Sequence, residues 1–209
     1  MCGFFGNISK NNKINKDLFN KIIDQMAYRG PDSNGFYEDD NFQVGFRRLS
    51  IIDINKGNQP MISSNKKYLM VFNGEIYNFK EIKKNLEEKG IKLKTNSDTE
   101  VLLESLSNFG VEFLDKICGM FAIVLYDLVK KKVYLIRDRL GIKPLFYFKN
   151  NDNFMFGSEI KSILNSKIYK AEANPSSISS FLNFRYPLGD QTLYQSIFSV
   201  KPGEIIEFE

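Results

Sequence analysis

The chain has 209 residues, with 29 Lys and Arg against 25 Asp and Glu, and no histidine. That length fits one well-packed domain or two small ones, and a net charge of +4 spread over scattered lysines argues against a nucleic-acid surface. The lack of histidine excludes Ser-His and Cys-His nucleophile pairs, and two distant cysteines, Cys2 and Cys118, frame neither a disulfide scaffold nor a zinc site.

Gly3–Ile8 is a short apolar run that predicts a buried strand, with Cys2 at its leading end. Leu18, Phe19, Ile22, Ile23 and Met26 recur at helical spacing and predict an amphipathic helix over about Lys16–Ala27. Arg29-Gly30-Pro31-Asp32 stops it. Gln43–Phe46, Leu49–Asp53 and Tyr68–Phe72 have strand character, and Asn73-Gly74 is a strong two-residue turn signal. Asn78 with Glu81, and Ser97 with Glu100, form capping-box patterns for two helices. The first carries Phe79, Ile82 and Leu86 on one face and closes at Gly90; the second spans Asp98–Phe109.

Met120–Asp127 and Val133–Asp138 flank a solvated turn at Leu128–Lys132, and Leu145–Phe148 pairs with Phe154–Gly157 in a further hairpin. A short helix over Glu159–Leu164 precedes a surface loop, Asn165–Ser177, then a helix near Ile178–Phe184 and a closing strand, Glu204–Phe208. Hairpins of short strands with paired helices between them predict an α+β fold of antiparallel sheets covered by helices, not a parallel sheet. The longest apolar runs, such as Ile117–Leu125, are too short to span a bilayer, and polar Asn7–Lys16 breaks any signal-peptide pattern. A reduced, cytoplasmic protein with no membrane partner is expected.

The chemistry starts at Met1-Cys2-Gly3. Removing Met1 would leave an α-amine beside the Cys2 thiol, so that nucleophile and base share one residue. An α-amine titrates near ~7.7–8.0 and a thiol near ~8.5, close enough for one to take the other's proton. Cys118 lies in an apolar run and is expected in the core.

Several further segments share the chain with that cysteine: Arg29-Gly30-Pro31-Asp32, Arg47-Arg48-Leu49-Ser50-Ile51-Ile52-Asp53, Gly57-Asn58-Gln59-Pro60-Met61 and Asn73-Gly74-Glu75-Ile76-Tyr77-Asn78. Ser97-Asp98-Thr99-Glu100, Arg137-Asp138-Arg139-Leu140-Gly141-Ile142-Lys143-Pro144-Leu145 and Ser158-Glu159-Ile160-Lys161 complete the set. In this order they closely resemble the N-terminal glutaminase domain of glutamine-dependent asparagine synthetases, a class II glutamine amidotransferase of the N-terminal-nucleophile hydrolase superfamily. The resemblance covers essentially the whole chain as one domain, residues 2–209, and implies a four-layer α/β/β/α sandwich of two antiparallel sheets.

It implies that Cys2 attacks the side-chain amide of L-glutamine, that Asn73 and the Gly74 N–H form the oxyanion hole, and that Arg48 takes the substrate α-carboxylate. Glu75 and Asp98 would accept from the α-ammonium, and the backbone of Ile52, in the strand after Arg48, would add a contact. Each residue also has a plainer reading: Asn73-Gly74 as a hairpin turn, Asp98 as a first-turn acid, Arg48 as a strand surface charge, Glu75 as a solvent-facing turn residue.

Two places depart from the family. Tyr28 and Phe46 stand where it usually carries histidines, which puts local packing in question. The family's ATP- and aspartate-binding domain, with its pyrophosphate loop, has no counterpart in these residues. ATP and magnesium are therefore expected only outside this domain, which itself would need no cofactor or metal. Ammonia would pass to a synthetase domain or a partner chain, and a homodimer is compatible with the family. Other acceptors, such as a sugar, peptide or antibiotic precursor, remain open. So does a non-catalytic regulatory module if Met1 is retained.

Overall fold

The computed structural model describes residues 1–11 and 13–209. Six strands form one antiparallel sheet: β1 (Gly3–Ser9), β2 (Ser33–Glu38), β3 (Phe42–Arg48), β8 (Phe146–Lys149), β9 (Asn153–Gly157) and β10 (Ile197–Ser199), in the order β10-β8-β9-β1-β3-β2. Five more form a second: β4 (Met61–Ile62), β5 (Tyr68–Ile76), β6 (Gly119–Asp127), β7 (Lys132–Arg137) and β11 (Ile205–Phe208), in the order β11-β7-β6-β5-β4.

Alternation along the strands explains the layering. Phe4 of β1 packs between the sheets, whereas Phe5 faces outward onto helix α1 (Lys16–Asp24). Leu69 and Val71 of β5 point between the sheets, while Met70 and Phe72 face α2 (Phe79–Glu88) and α3 (Asp98–Phe109). Both faces of the central strands are thus buried, which is why they read as continuous apolar runs. With α4 (Ile160–Leu164) beside α1, the result is an α/β/β/α sandwich. None of the helices of the described residues is long and apolar enough to cross a membrane.

The structure corrects several local expectations. Asn73-Gly74 is not a turn: it lies within β5, which pairs with β6 from Tyr68↔Asp127 to Ile76↔Gly119. Long-range pairing overrides the local turn signal. Leu49–Asp53 is loop rather than strand, so Ile52 does not continue β3. Asn78 stands at the N-cap of α2, but its side chain makes no capping bond; it donates to Lys116 O (2.9 Å) and accepts from Cys118 N (3.0 Å). Cys118 is exposed, not core, in the crossing from a 3-10 turn (Val111–Lys116) into β6. Helix α1 ends at Asp24, short of Ala27. Helix α5 (Pro175–Phe184) starts earlier than expected, with Asn174 Oδ1 accepting from Ser177 N. Strands β2 and β10 had no strong apolar signature and were not foreseen.

Candidate active site

Cys2 stands where β1 begins, held from two sides. Leu49 N donates to its Sγ at 3.4 Å, and the thiol faces Leu49 O at 3.7 Å. Arg29 Nε donates to Cys2 O at 3.0 Å, and Arg29 Nη1 is fixed by Glu159 Oε1 at 3.0 Å. Burial pushes the thiol pKa up; the Leu49 hydrogen bond, the terminal amine, Arg48 and Arg29 pull the other way without cancelling it. Met1, which precedes Cys2, is 54% exposed.

The Arg29-Gly30-Pro31-Asp32 segment has a packing reason for its composition. Gly30 lies against the backbone of Arg47, where a Cβ would come within 2.3 Å of its carbonyl carbon. The close approach lets Arg29 reach Cys2, and Asp32 Oδ2 accepts from Ser50 N at 2.6 Å. Tyr28 donates its hydroxyl to Glu159 and accepts from Lys161 Nζ at 3.2 Å. Phe46 is buried between the sheets.

A cavity of about 270 Å³ opens beside the thiol, between the ends of the two sheets. Cys2, Arg48, Ile52, Gly74, Glu75 and Asp98 all line it. Arg48 is buried rather than a surface charge, and its guanidinium organises the 49–58 loop. Nη2 donates to Ile52 O (3.0 Å) and Asp53 O (2.8 Å), and Nη1 to Ile54 O (2.8 Å) and Asn58 Oδ1 (3.4 Å). Gly57 fits under it, since a Cβ there would lie 2.3 Å from Nη2. The Ile52 carbonyl thus already accepts one hydrogen bond from Arg48.

Asn73 shares the inter-sheet face of β5 with Leu69 and Val71, the layer against which Cys2 packs. Its Nδ2 is buried and has no acceptor among the described residues. Asp98 is the first residue of α3, whose N-terminus is capped by Ser97 Oγ accepting from Glu100 N (3.2 Å). Glu100 turns to Lys94 N and Thr95 N instead, so only half of the capping box forms. Asp98 Oδ2 accepts from Ile76 N at 3.1 Å, yet burial, helped by Glu75, raises its pKa.

While Asn73, next to Gly74 in β5, is not among the lining residues, the structure thus brings Cys2, Arg48, Ile52, Gly74, Glu75 and Asp98 together at one cavity. It adds Met120 and Lys143 to the wall, and Arg29 and Glu159 behind Cys2. The Arg29 and Glu159 motifs were visible in the sequence, but only the fold shows that they meet. A larger hollow of about 700 Å³, lined by residues such as Asn78, Phe109 and Phe113, contains none of these groups.

A family model described as glutamine amidotransferase domain matches residues 1–209. Asparagine synthetase (glutamine-hydrolyzing) 1 of Bacillus subtilis is 37% identical over 207 residues, covering 97% of this chain and 33% of that protein. Asparagine synthetase B (glutamine-hydrolyzing) of Escherichia coli is 38% identical over 170 residues, covering 78% and 30%. The chain therefore spans about a third of the length of these relatives. In fold it matches glutamine phosphoribosylpyrophosphate amidotransferase of B. subtilis, solved with ADP and GMP, at a TM-score of 0.68 and 20% identity over 84% of this chain and 46% of that one.

Proposed function

The chain belongs to the glutamine amidotransferase domain family, and on that premise we propose that it hydrolyses the side-chain amide of L-glutamine through Cys2. It is homologous to the N-terminal region of glutamine-hydrolysing asparagine synthetases. In the proposed reaction Met1 is removed and the new α-amine of Cys2 takes the thiol proton. The thiolate adds to the amide carbon, and the oxygen's negative charge falls to Asn73 Nδ2 and the Gly74 N–H. Collapse breaks the C–N bond, and the nitrogen leaves as ammonia with the proton held by the amine. Water, deprotonated by the same amine, adds to the γ-glutamyl thioester. Glutamate departs and the thiol is restored.

Arg48 takes the α-carboxylate, with Nε not engaged by the described residues, and Glu75 and Asp98 take the α-ammonium. The ammonia is destined for an ATP- and magnesium-dependent synthetase domain or partner chain that amidates aspartate, in the cytoplasm, where the thiol stays reduced. Hydrolysis itself draws only on groups of this chain, glutamine and water.

The observation that carries this reading is the buried, unpartnered Asn73 Nδ2 on the face shared with Cys2. An unsatisfied buried donor costs about 1–3 kcal/mol, and the oxyanion of the adduct would supply its acceptor. Ammonia release together with intact-mass measurement tests it. Met1-free wild type should be active, Cys2→Ala inactive and Cys118→Ala active. A Met1-bearing chain with full activity would remove the amine from the mechanism.

A further inference from the structure

Lys143 has no part in the chemistry above, and its placement inverts the usual rule. It is 7% exposed and lines the Cys2 cavity, while its neighbours Leu140 and Ile142 are 80% and 51% exposed. A lysine is seldom buried unless it is paired. Among the described residues the Lys143 ammonium has neither an ion pair nor a hydrogen bond.

The loop that carries it is built in detail. Asp138 is buried and takes four backbone N–H bonds: Oδ1 from Leu140 (3.1 Å) and Ile142 (2.9 Å), Oδ2 from Lys143 (3.0 Å) and Phe121 (3.2 Å). Arg137 closes the other side, with Nε donating to Lys143 O (2.9 Å) and Nη2 to Gly141 O (2.9 Å). Arg137 Nη1 anchors the whole to Ser199 Oγ at 2.7 Å. Lys143 is thereby fixed in the wall, at the cost of turning two aliphatic side chains outward.

Its position along that wall is set by register. Lys143 N and Phe121 N share one carboxylate oxygen, and Phe121 is the strand partner of Gly74. Lys143 therefore lines the cavity on the side of β6, the strand that pairs with Asn73-Gly74. A neutral amide gains little from an ammonium there, but an oxygen acquiring full negative charge gains much from a cation held in the wall.

We propose that Lys143 is a further catalytic residue of this reaction, a cationic third element of the oxyanion site beside Asn73 and Gly74. The assignment rests on the glutaminase reading. The test compares Lys143→Met and Lys143→Arg in the Met1-free chain by steady-state ammonia release. Lys143→Met should lower kcat by about 10²-fold, the low end for loss of one oxyanion donor, with KM nearly unchanged. Lys143→Arg should recover most of the loss.

A second readout separates chemistry from packing. A γ-aldehyde analogue of glutamine forms a thiohemiacetal on Cys2 whose oxygen occupies the oxyanion position. Its inhibition should weaken in Lys143→Met by the factor lost from kcat/KM, while glutamine binding to Cys2→Ala/Lys143→Met matches that of Cys2→Ala. If Lys143→Met does not fold, Lys143→Gln serves in the same comparison. An active wild type with an unimpaired Lys143→Met overturns the Lys143 assignment alone, as does a variant that loses only KM. A Met1-free wild type that releases no ammonia overturns the glutaminase reading and the Lys143 assignment with it.

Discussion

Asn73 and Arg48 are both buried polar side chains, but their bonding differs, and so should their kinetics. Asn73 keeps an unspent donor, whereas Arg48 already holds three loop carbonyls. Asn73→Ala should lower kcat by about 10²–10³-fold with little change in KM, because the oxyanion exists only in the transition state. Arg48→Ala should raise KM, since an α-carboxylate is present throughout, and should also lower thermal stability by releasing the 52–54 loop. Equal KM rises with unchanged kcat in both variants would end the oxyanion assignment. Asp98 gives a pH prediction. Burial raises its pKa, so on acidification it loses its charge before an ordinary aspartate would, and with it the attraction for the α-ammonium. KM for glutamine should therefore rise as pH falls, starting above the usual carboxylate range. In Asp98→Asn the KM should be high and flatter against pH. A wild-type KM that is level across that range would remove Asp98 from the substrate site.

Among the elements, those whose burial follows a simple period were legible, and those set by distant partners were not. β1, β6 and β7 announce themselves as apolar runs, and α3 by Ser97 followed by Glu100. Asn73-Gly74 misled because a local turn preference is worth little against nine residues paired with β6. Cys118 misled because Ile117 beside it is buried while its own side chain points out at a crossing. For the site, the sequence pointed to six residues that line one cavity, but not to Lys143 joining them there. Its meaning depends on Asp138 and Arg137 folding a loop inward, which no spacing in the sequence encodes. The capping element gives a direct check: Ser97→Ala should destabilise the protein by about 1 kcal/mol through loss of the α3 cap. Denaturant unfolding would measure it, and Asp98, at the next position, should make glutamine binding weaken in parallel. A variant as stable as wild type would mean that the Glu100 contacts to Lys94 N and Thr95 N hold the helix start alone.

At the scale of the whole molecule, the candidate site belongs to neither sheet. β1 and β3 of the first sheet bring Cys2 and Arg48; β5 of the second brings Gly74 and Glu75, with Asn73 beside them in the strand, and α3 adds Asp98. A ligand that reaches both walls ties together the two layers whose separation exposes the inter-sheet core of Phe4, Phe42, Phe46 and Phe156. Such binding stabilises the folded chain by mass action, about 2.7 kcal/mol at a hundredfold excess over Kd. For a chain of this size each kcal/mol moves Tm by about 2–4 °C. Glutamine at that excess should therefore raise the Tm of Cys2→Ala by about 5–10 °C, with the thiol removed so that the substrate persists. Arg48→Ala in the same background should lose most of the shift at the same concentration, because affinity falls. Asn73→Ala should keep it, because its donor is reserved for a charge that ground-state glutamine lacks. A shift absent from Cys2→Ala, or preserved in full by Cys2→Ala/Arg48→Ala, would place glutamine elsewhere on the molecule.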